Sequence, residues 1–335
     1  MWRTQSIHER SETEYFAQAI KRLDQEKGLA EQAEALLKAV SLQEPLIKDA
    51  LKTKQDPRAH SEGLFMDAHL HRMLVVLYGI VEGTLHLIDI EEFRRMKGYE
   101  GEIDELEEIM KEKVSFFEAF ILVHDAAKIH GNDHHDRMMY APVYQQLIDR
   151  VAKAHDLSVR DQAMLSDIIC RHLEFGAFHK PNPSMAHWLL HLAKVKQYDG
   201  DDFLDLVQGC IFLDWVVGSE RLQENGKTFF NLDYLINMLI SEHVLLPERR
   251  LEKYEQREKK KKTERNRLFQ EAKLDGISLM DLLKMSPGPK FGKMLRKIHE
   301  AILGEGELPT FTSQIDQELQ DRIAEFYNKS FVKGD

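Results

Sequence analysis

The sequence predicts an all-α protein, and three observations carry that prediction. Apolar residues recur at helical spacing along most of the chain. No stretch of four to eight residues combines strict alternation, β-branched enrichment and flanking turn residues. Only nine prolines punctuate 335 residues.

Residues 11–54 carry Phe16, Ile20, Leu23, Leu29, Ala33, Leu36 and Val40 at helical spacing, which predicts two or three helices. Ser11 and Glu14 stand at capping-box spacing ahead of them. Residues 62–225 read as a helical bundle, with helices over 63–84, 89–112, 114–130, 137–155, 158–174, 184–197 and 202–224. Gly98, Gly101, Gly131-Asn132-Asp133, Pro181-Asn182-Pro183 and Gly200 mark the loops. Asp199 and Asp201 lie between two of these helices and read as a turn or a cap. Residues 230–335 form a further helical region, broken at Ser286-Pro287-Gly288-Pro289. The expected organisation is an N-terminal helical segment (1–55), a bundle domain (56–225) and a helical tail (226–335).

Composition narrows the function classes. The chain is 43% hydrophobic and 31% charged, enough for a core that needs no disulfides. No apolar run approaches the ~18 residues of a membrane span, and residues 1–23 are too polar for a secretory leader. Cys170 and Cys210 lie in separate apolar runs. A reduced, cytoplasmic protein that does not enter membranes is the expectation. The net charge of −11 argues against a general nucleic-acid coat and leaves room for a local basic contact. Charge and histidine are uneven: residues 61–220 carry a balance of −13, and 13 of the 16 histidines lie between His60 and His191. An acidic, histidine-rich middle is where a cation would go, although acidic surface residues also serve solubility.

Ionisable residues sit on the apolar stripes of four predicted helices. His71 shares a face with Leu74, Val75 and Tyr78. His124 follows Phe117, Phe120 and Ile121, with Asp125 about 100° further round. His172 follows Leu165, Ile168 and Ile169. Asp214 follows Val207, Cys210 and Ile211 and precedes Val217 and Gly218. One buried histidine is commonly a hydrogen-bonded core residue. A buried carboxylate without a cation or strong donors costs several kcal/mol. Together the set points to a divalent metal held by imidazole and carboxylate: Mn, Mg, Ni, Co, Fe or Zn. The absence of a cysteine ligand pair argues against a structural zinc finger.

The order His71, then Val123-His124-Asp125-Ala126-Ala127-Lys128, then His172, then Asp214 resembles the HD superfamily of metal-dependent phosphohydrolases. That signature is a distant His, an adjacent His-Asp pair and a late Asp, all on helices. Asp67-Ala68-His69-Leu70-His71 resembles the first motif, with His71 rather than His69 as the ligand. Ala127 stands where Gly is common. Leu213-Asp214-Trp215-Val216-Val217-Gly218-Ser219 resembles the last motif. The resemblance implies one metal at His71, His124, Asp125 and Asp214. It also implies a second in some members, bound by intervening histidines: here His172 and either His134 or His135, with His135 preferred. Asp125 and Lys128 are the expected catalytic residues, Lys128 pairing with Asp125 or contacting substrate phosphate.

Leu274 to Leu295, with its Ser-Pro-Gly-Pro-Lys-Phe-Gly run, and then Ile302 to Leu308, resemble the tail of bacterial tRNA nucleotidyltransferases and poly(A) polymerases. Some of those carry an HD domain just before that tail. Residues 1–60 read as too short and too helical for the mixed sheet of a nucleotidyltransferase head, so the expectation is a resemblance to the HD and tail portions without that head. The expected protein is therefore an HD-domain helical bundle with a helical tail, hydrolysing a nucleotide or RNA-terminal phosphate ester such as a 2′,3′-cyclic phosphodiester. The alternatives are a hydrolase of nucleoside triphosphates or signalling nucleotides, and a non-catalytic RNA-binding adaptor. The expected macromolecular partner is tRNA or another RNA. The basic stretch 249–267, with ten Lys/Arg against four Glu, and the helix start at Gly288-Pro289 are its candidate contacts, against the plainer readings of a solvated helix face and a helix-breaking turn.

Overall fold

The computed structural model describes residues 15–55, 60, 63–94, 96, 98–131, 135–218, 221–222, 228–245, 259, 262–263, 265–302 and 321. The fold is all-α. Among the described residues the strands are limited to one two-residue antiparallel pair, with Arg221 opposite Phe229 and Leu222 opposite Thr228, and an isolated bridge between Lys54 and Phe65. No helix among the described residues is long and apolar enough to cross a membrane.

Two compact units divide the chain at Pro247/Glu248. In the first, α1 (Phe16–Leu23), α2 (Lys27–Gln43) and α3 (Pro45–Ala50) precede α4 (Met66–Val81). Then come α5 (Glu91–Arg94), α6 (Glu100–Glu112) and α7 (Val114–Val123). They are followed by α8 (His135–Met138), α9 (Pro142–Ala154) and α10 (Val159–Ile169). The last are α11 (Pro183–Lys196), α12 (Gly200–Ile211) and α13 (Asp233–Leu245). Short 3-10 segments cover 87–89, 126–130 and 172–179, and a π-helical segment continues α12 over Phe212–Val217.

Helices α4 and α7 form the centre. Residues 73–80 of α4 are buried without interruption, as are Phe116, Phe117 and Ala119–Val123 of α7. A helix that is apolar all round has no solvent face to offer, so its neighbours must enclose it. Helices α2, α6 and the π segment pack on α4; α9, α10 and α12 pack on α7. Gly209 allows α12 to cross α7 closely, because a Cβ there would overlap the Phe117 ring.

The expected boundaries at 55/56 and 225/226 do not divide the packing. Phe16 of α1 packs edge-on against Phe93 and Phe230 and at a tilt against Phe212, at ring-centroid distances of 5.9, 5.2 and 5.9 Å, so one aromatic cluster joins the N-terminal helices to the bundle. Leu235, Met238 and Leu239 of α13 belong to the same core. The sequence-predicted helices also differ in their ends. The span 89–112 is interrupted before Tyr99, 114–130 leaves α geometry at Val123, 158–174 ends at Ile169, and 202–224 ends in the π segment.

Several caps follow the sequence. Asp199 Oδ1 accepts from the Asp201 and Asp202 amides, Asn182 Oδ1 from Met185, and Ser158 Oγ from Asp161. Ser11 and Glu14 lie outside the described residues.

In the second unit, helical residues 265–271, α14 (Gly276–Leu283) and α15 (Pro289–Ile302) enclose a small core of Phe269, Ala272, Leu274, Leu279, Leu283, Phe291 and Ile298. Asp275 caps α14 by accepting from the Ile277 and Ser278 amides. The opposite face of α15 is basic: Lys290, Lys293, Arg296 and Lys297 stand at i, i+3, i+6 and i+7, outside that small core. Lys259 and Lys262 of the basic stretch are exposed; residues 249–258, Lys260, Lys261 and Glu264 lie outside the described residues.

Candidate metal centre

Five of the six sequence-predicted ligands come together. His124, Asp125, His135, His172 and Asp214 converge, and His69 joins them in place of His71. His124 and Asp125 stand where α7 ends and before the 3-10 segment 126–130. His135 opens the four-residue α8. His172 opens the 3-10 segment 172–179, and Asp214 lies within the π segment. Only His69 sits inside a long regular helix. Departures from α geometry turn these side chains inward; π insertions in particular concentrate at functional sites.

The correction at the first motif has a physical reason. His71 is half-buried and its Nε2 lies 3.3 Å from the Ala30 carbonyl of α2, away from the cluster. His69 is fully buried. Both share a stripe with apolar residues C-terminal to them, so forward spacing does not separate them. The backward direction does: Met66, at i−3 from His69, is buried, whereas Asp67, at i−4 from His71, is exposed.

Two donor groups form around one carboxylate. His69, His124 and Asp214 make the first; Asp125, His135 and His172 make the second. Asp125 faces both. Its Oδ2 is 3.6 Å from His69 Nε2 and 3.3 Å from His124 Nε2. Its Oδ1 is 2.7 Å from His135 Nε2 and 3.5 Å from His172 Nε2. Asp214 Oδ1 is 3.7 Å from His69 Nε2 and 3.6 Å from His124 Nε2. The Nε2 atoms of His135 and His172 are 3.0 Å apart. Ligands sharing one ion at bonds of ~2.0–2.1 Å have donor–donor edges of about 3 Å, so these spacings suit a common centre in each group.

Backbone carbonyls set the imidazole tautomers. His69 Nδ1 lies 2.9 Å from the Gly218 carbonyl, His172 Nδ1 2.7 Å from that of Ile169, and His124 Nδ1 3.1 Å from that of Ile121. An Nδ1–H donated to a carbonyl leaves the Nε2 lone pair for a ligand bond, the usual arrangement behind a metal-bound histidine. Buried His124 Nε2 has no hydrogen bond of acceptable geometry among the described residues, although two carboxylate oxygens lie within 3.6 Å. A lone pair facing carboxylate oxygens in a dry site is repulsive unless a cation or proton stands between them. The residues present therefore fit a divalent ion.

The electrostatics agree. Burial works against a charged His124, but the charges of Asp125 and Asp214 outweigh it and push its pKa up to about 10. Burial likewise opposes ionised Asp125 and Asp214; the charge of His124 overcomes it in both, joined at Asp125 by Lys128, and holds both carboxyls well below the usual range. Lys128 Nζ is ion-paired with Asp125 Oδ2, so the pairing alternative for Lys128 is the one seen. Asp214 and Lys128 are 13% and 12% exposed and form the most open edge of a set otherwise buried to 2% or less. His60 borders the site as well: its Nδ1 is 2.8 Å from the Gly218 carbonyl and its ring packs edge-on against His69. His134 and Ser219 lie outside the described residues.

Comparison with protein-family models, with curated proteins and with solved structures finds no match.

Proposed function

We propose that this cluster is the centre of a metal-dependent phosphohydrolase acting on a nucleotide or RNA-terminal phosphate ester. The observation that carries the reading is the convergence of imidazole Nε2 lone pairs on Asp125 and Asp214, with each carboxylate oxygen of Asp125 turned to a different donor group. One ion would be held by His69, His124, Asp214 and Asp125 Oδ2, and a second by His135, His172 and Asp125 Oδ1. When bound, a divalent ion supplies Lewis acidity toward a phosphoryl oxygen and acidifies water.

The chain's own residues have separate tasks. Asp125 ties the two groups together and sets their spacing. The Gly218, Ile169 and Ile121 carbonyls fix which imidazole nitrogen faces inward. Lys128 neutralises Asp125 and, at the open edge, is placed to turn its ammonium to a substrate phosphate once a cation takes over that task. Phe120, stacked on His124 at 4.9 Å, helps keep water from the back of the site. Two buried free thiols, Cys170 and Cys210, fit a reducing compartment and support a cytoplasmic location.

The test is metal analysis of the purified protein, then hydrolysis assays on 2′,3′-cyclic, mono- and triphosphate nucleotides with and without chelator. Asp125→Asn keeps the side-chain shape and removes the shared charge. It is expected to lower metal retention and hydrolysis together, by at least about 100-fold in rate. Metal-loaded wild-type protein inert on all three substrate types would favour the adaptor reading. One observation supports RNA binding in either case. The outer face of α15 carries Lys290, Lys293, Arg296 and Lys297 with no ion-pair partner among the described residues, a short basic strip suited to an RNA end or loop.

A further inference from the structure

We propose that His187 and His191 form a second kind of metal site: a solvent-open pair of imidazoles on α11 that takes one borderline transition ion, Ni, Cu or Zn, independently of the buried cluster. The two residues are four apart on a fourteen-residue helix. Residues at i and i+4 stand on the same face with Cβ atoms ~5–6 Å apart, a spacing at which two imidazoles reach one ion. Both are exposed, whereas Ala186, Leu189 and Ala193 of the same helix are buried. The fold thus holds the outer face of α11 outward and fixes the histidine pair on it. Neither imidazole has a hydrogen bond or ion pair among the described residues, so no existing interaction is broken when metal binds.

The helix is well anchored. Pro183 opens it, Asn182 caps it, and the Asn182 amide donates to Ser241 Oγ of α13 at 2.7 Å. Anchoring limits the ordering cost of chelation. His187 and His191 lie in the interior of α11, clear of both end turns, so neither helix terminus competes for the ion. The opposing charge is Lys194, exposed three residues beyond His191; Lys196 is paired with Asp167 at 3.1 Å.

The ligand chemistry separates this site from the cluster. Neutral imidazoles without a carboxylate select Ni, Cu and Zn over Mg and Mn. Two protein ligands leave the other coordination positions to water or to another molecule, so the ion exchanges readily and chelator strips it first. Metal counts on the wild-type chain would then exceed those of the cluster by one equivalent.

The experiment uses the full chain, stripped with chelator, desalted and dialysed against Ni(II) alone and Zn(II) alone. His187 and His191 are exposed, so H187Q/H191Q is expected to fold as the wild type does, and a melting curve checks this. The double variant should lose one equivalent from the weaker class and keep the tighter class unchanged. H191Q alone should weaken that equivalent by roughly tenfold or more, because losing one of two linked ligands removes the effective-concentration gain. An H187Q/H191Q chain that melts normally and binds as many Ni(II) and Zn(II) equivalents as wild type, at the same affinity, overturns the proposal. So does a single variant no weaker than wild type.

Discussion

Gly218 and His69 are locked together. The Gly218 carbonyl lies 2.9 Å from His69 Nδ1, and a Cβ on Gly218 would overlap the His69 ring, 2.8 Å from Nδ1 and 2.9 Å from the Asp214 carbonyl oxygen. One residue thus sets both the tautomer and the position of a ligand on another element. Gly218→Ala should displace His69, cost about 1–3 kcal/mol of stability and lower metal affinity. Melting and metal titration of the same variant check both effects; an unchanged affinity would show that the packing there is slack.

His69 and His71 separate cleanly by mutation. His69→Ala should remove a ligand and at least about tenfold of metal affinity. His71→Ala should leave the metal in place and cost about 1 kcal/mol, the value of a hydrogen bond to Ala30. The reverse result would restore His71 as the ligand.

The pH dependence of the metal-stripped protein follows from His124. Its pKa rises from 6.5 unfolded to about 10 folded, so its stabilisation is complete below pH 6.5 and is lost as pH climbs through 10. Asp125 and Asp214 act in the opposite direction. Their folded values lie below 3.8, so their stabilisation is present above pH 3.8 and is lost as pH falls further. The stripped protein should melt highest between about pH 4 and 6.5 and weaken steadily toward pH 10. Saturating metal should remove the alkaline loss, because the ion takes the place of the His124 proton. Parallel melting curves for stripped and loaded protein from pH 6.5 to 10 would contradict this.

For RNA, the basic strip on α15 predicts salt-dependent binding. Replacing Lys290, Lys293, Arg296 and Lys297 by Gln should flatten the dependence of log K on log salt, by about 0.7 for each single-strand phosphate left without its cation. Filter binding of a tRNA at several salt concentrations measures the slope. An unchanged slope would exclude this face.

Thiol reactivity gives a further check on packing. Burial pushes the Cys170 thiol up to about 11 and raises Cys210 well above its ordinary value. Neither should react with a thiol reagent at pH 8 while the chain is folded, and both should on unfolding. Rapid labelling of native protein would show an open core.

The sequence by itself determined the fold class, and its apolar stripes together with the HD resemblance named five of the six residues that the structure brings together. Helical spacing needs only the local period of 3.6. A carboxylate on an apolar stripe, as at Asp214, is costly enough to announce a cation from the sequence, and Asp125 follows as the neighbour of His124. The cap at Asp199 was readable for the same local reason. Forward spacing does not choose between His69 and His71; the polar Asp67 one turn before His71, against Met66 before His69, is the local signal, and the tertiary structure makes the choice by burying residues 73–80 of α4 on every side. It also showed that α7, α10 and α12 leave α geometry after Val123, Ile169 and Ile211, just ahead of His124, His172 and Asp214. Helical spacing assumes one continuous helix, whereas these turns take their direction from the elements packed around them. That Phe16 joins residues 16–50 to the same core as Phe93, Phe212 and Phe230 was equally beyond the sequence. An aromatic residue on a stripe declares that it will be buried, and only the folded chain determines against what.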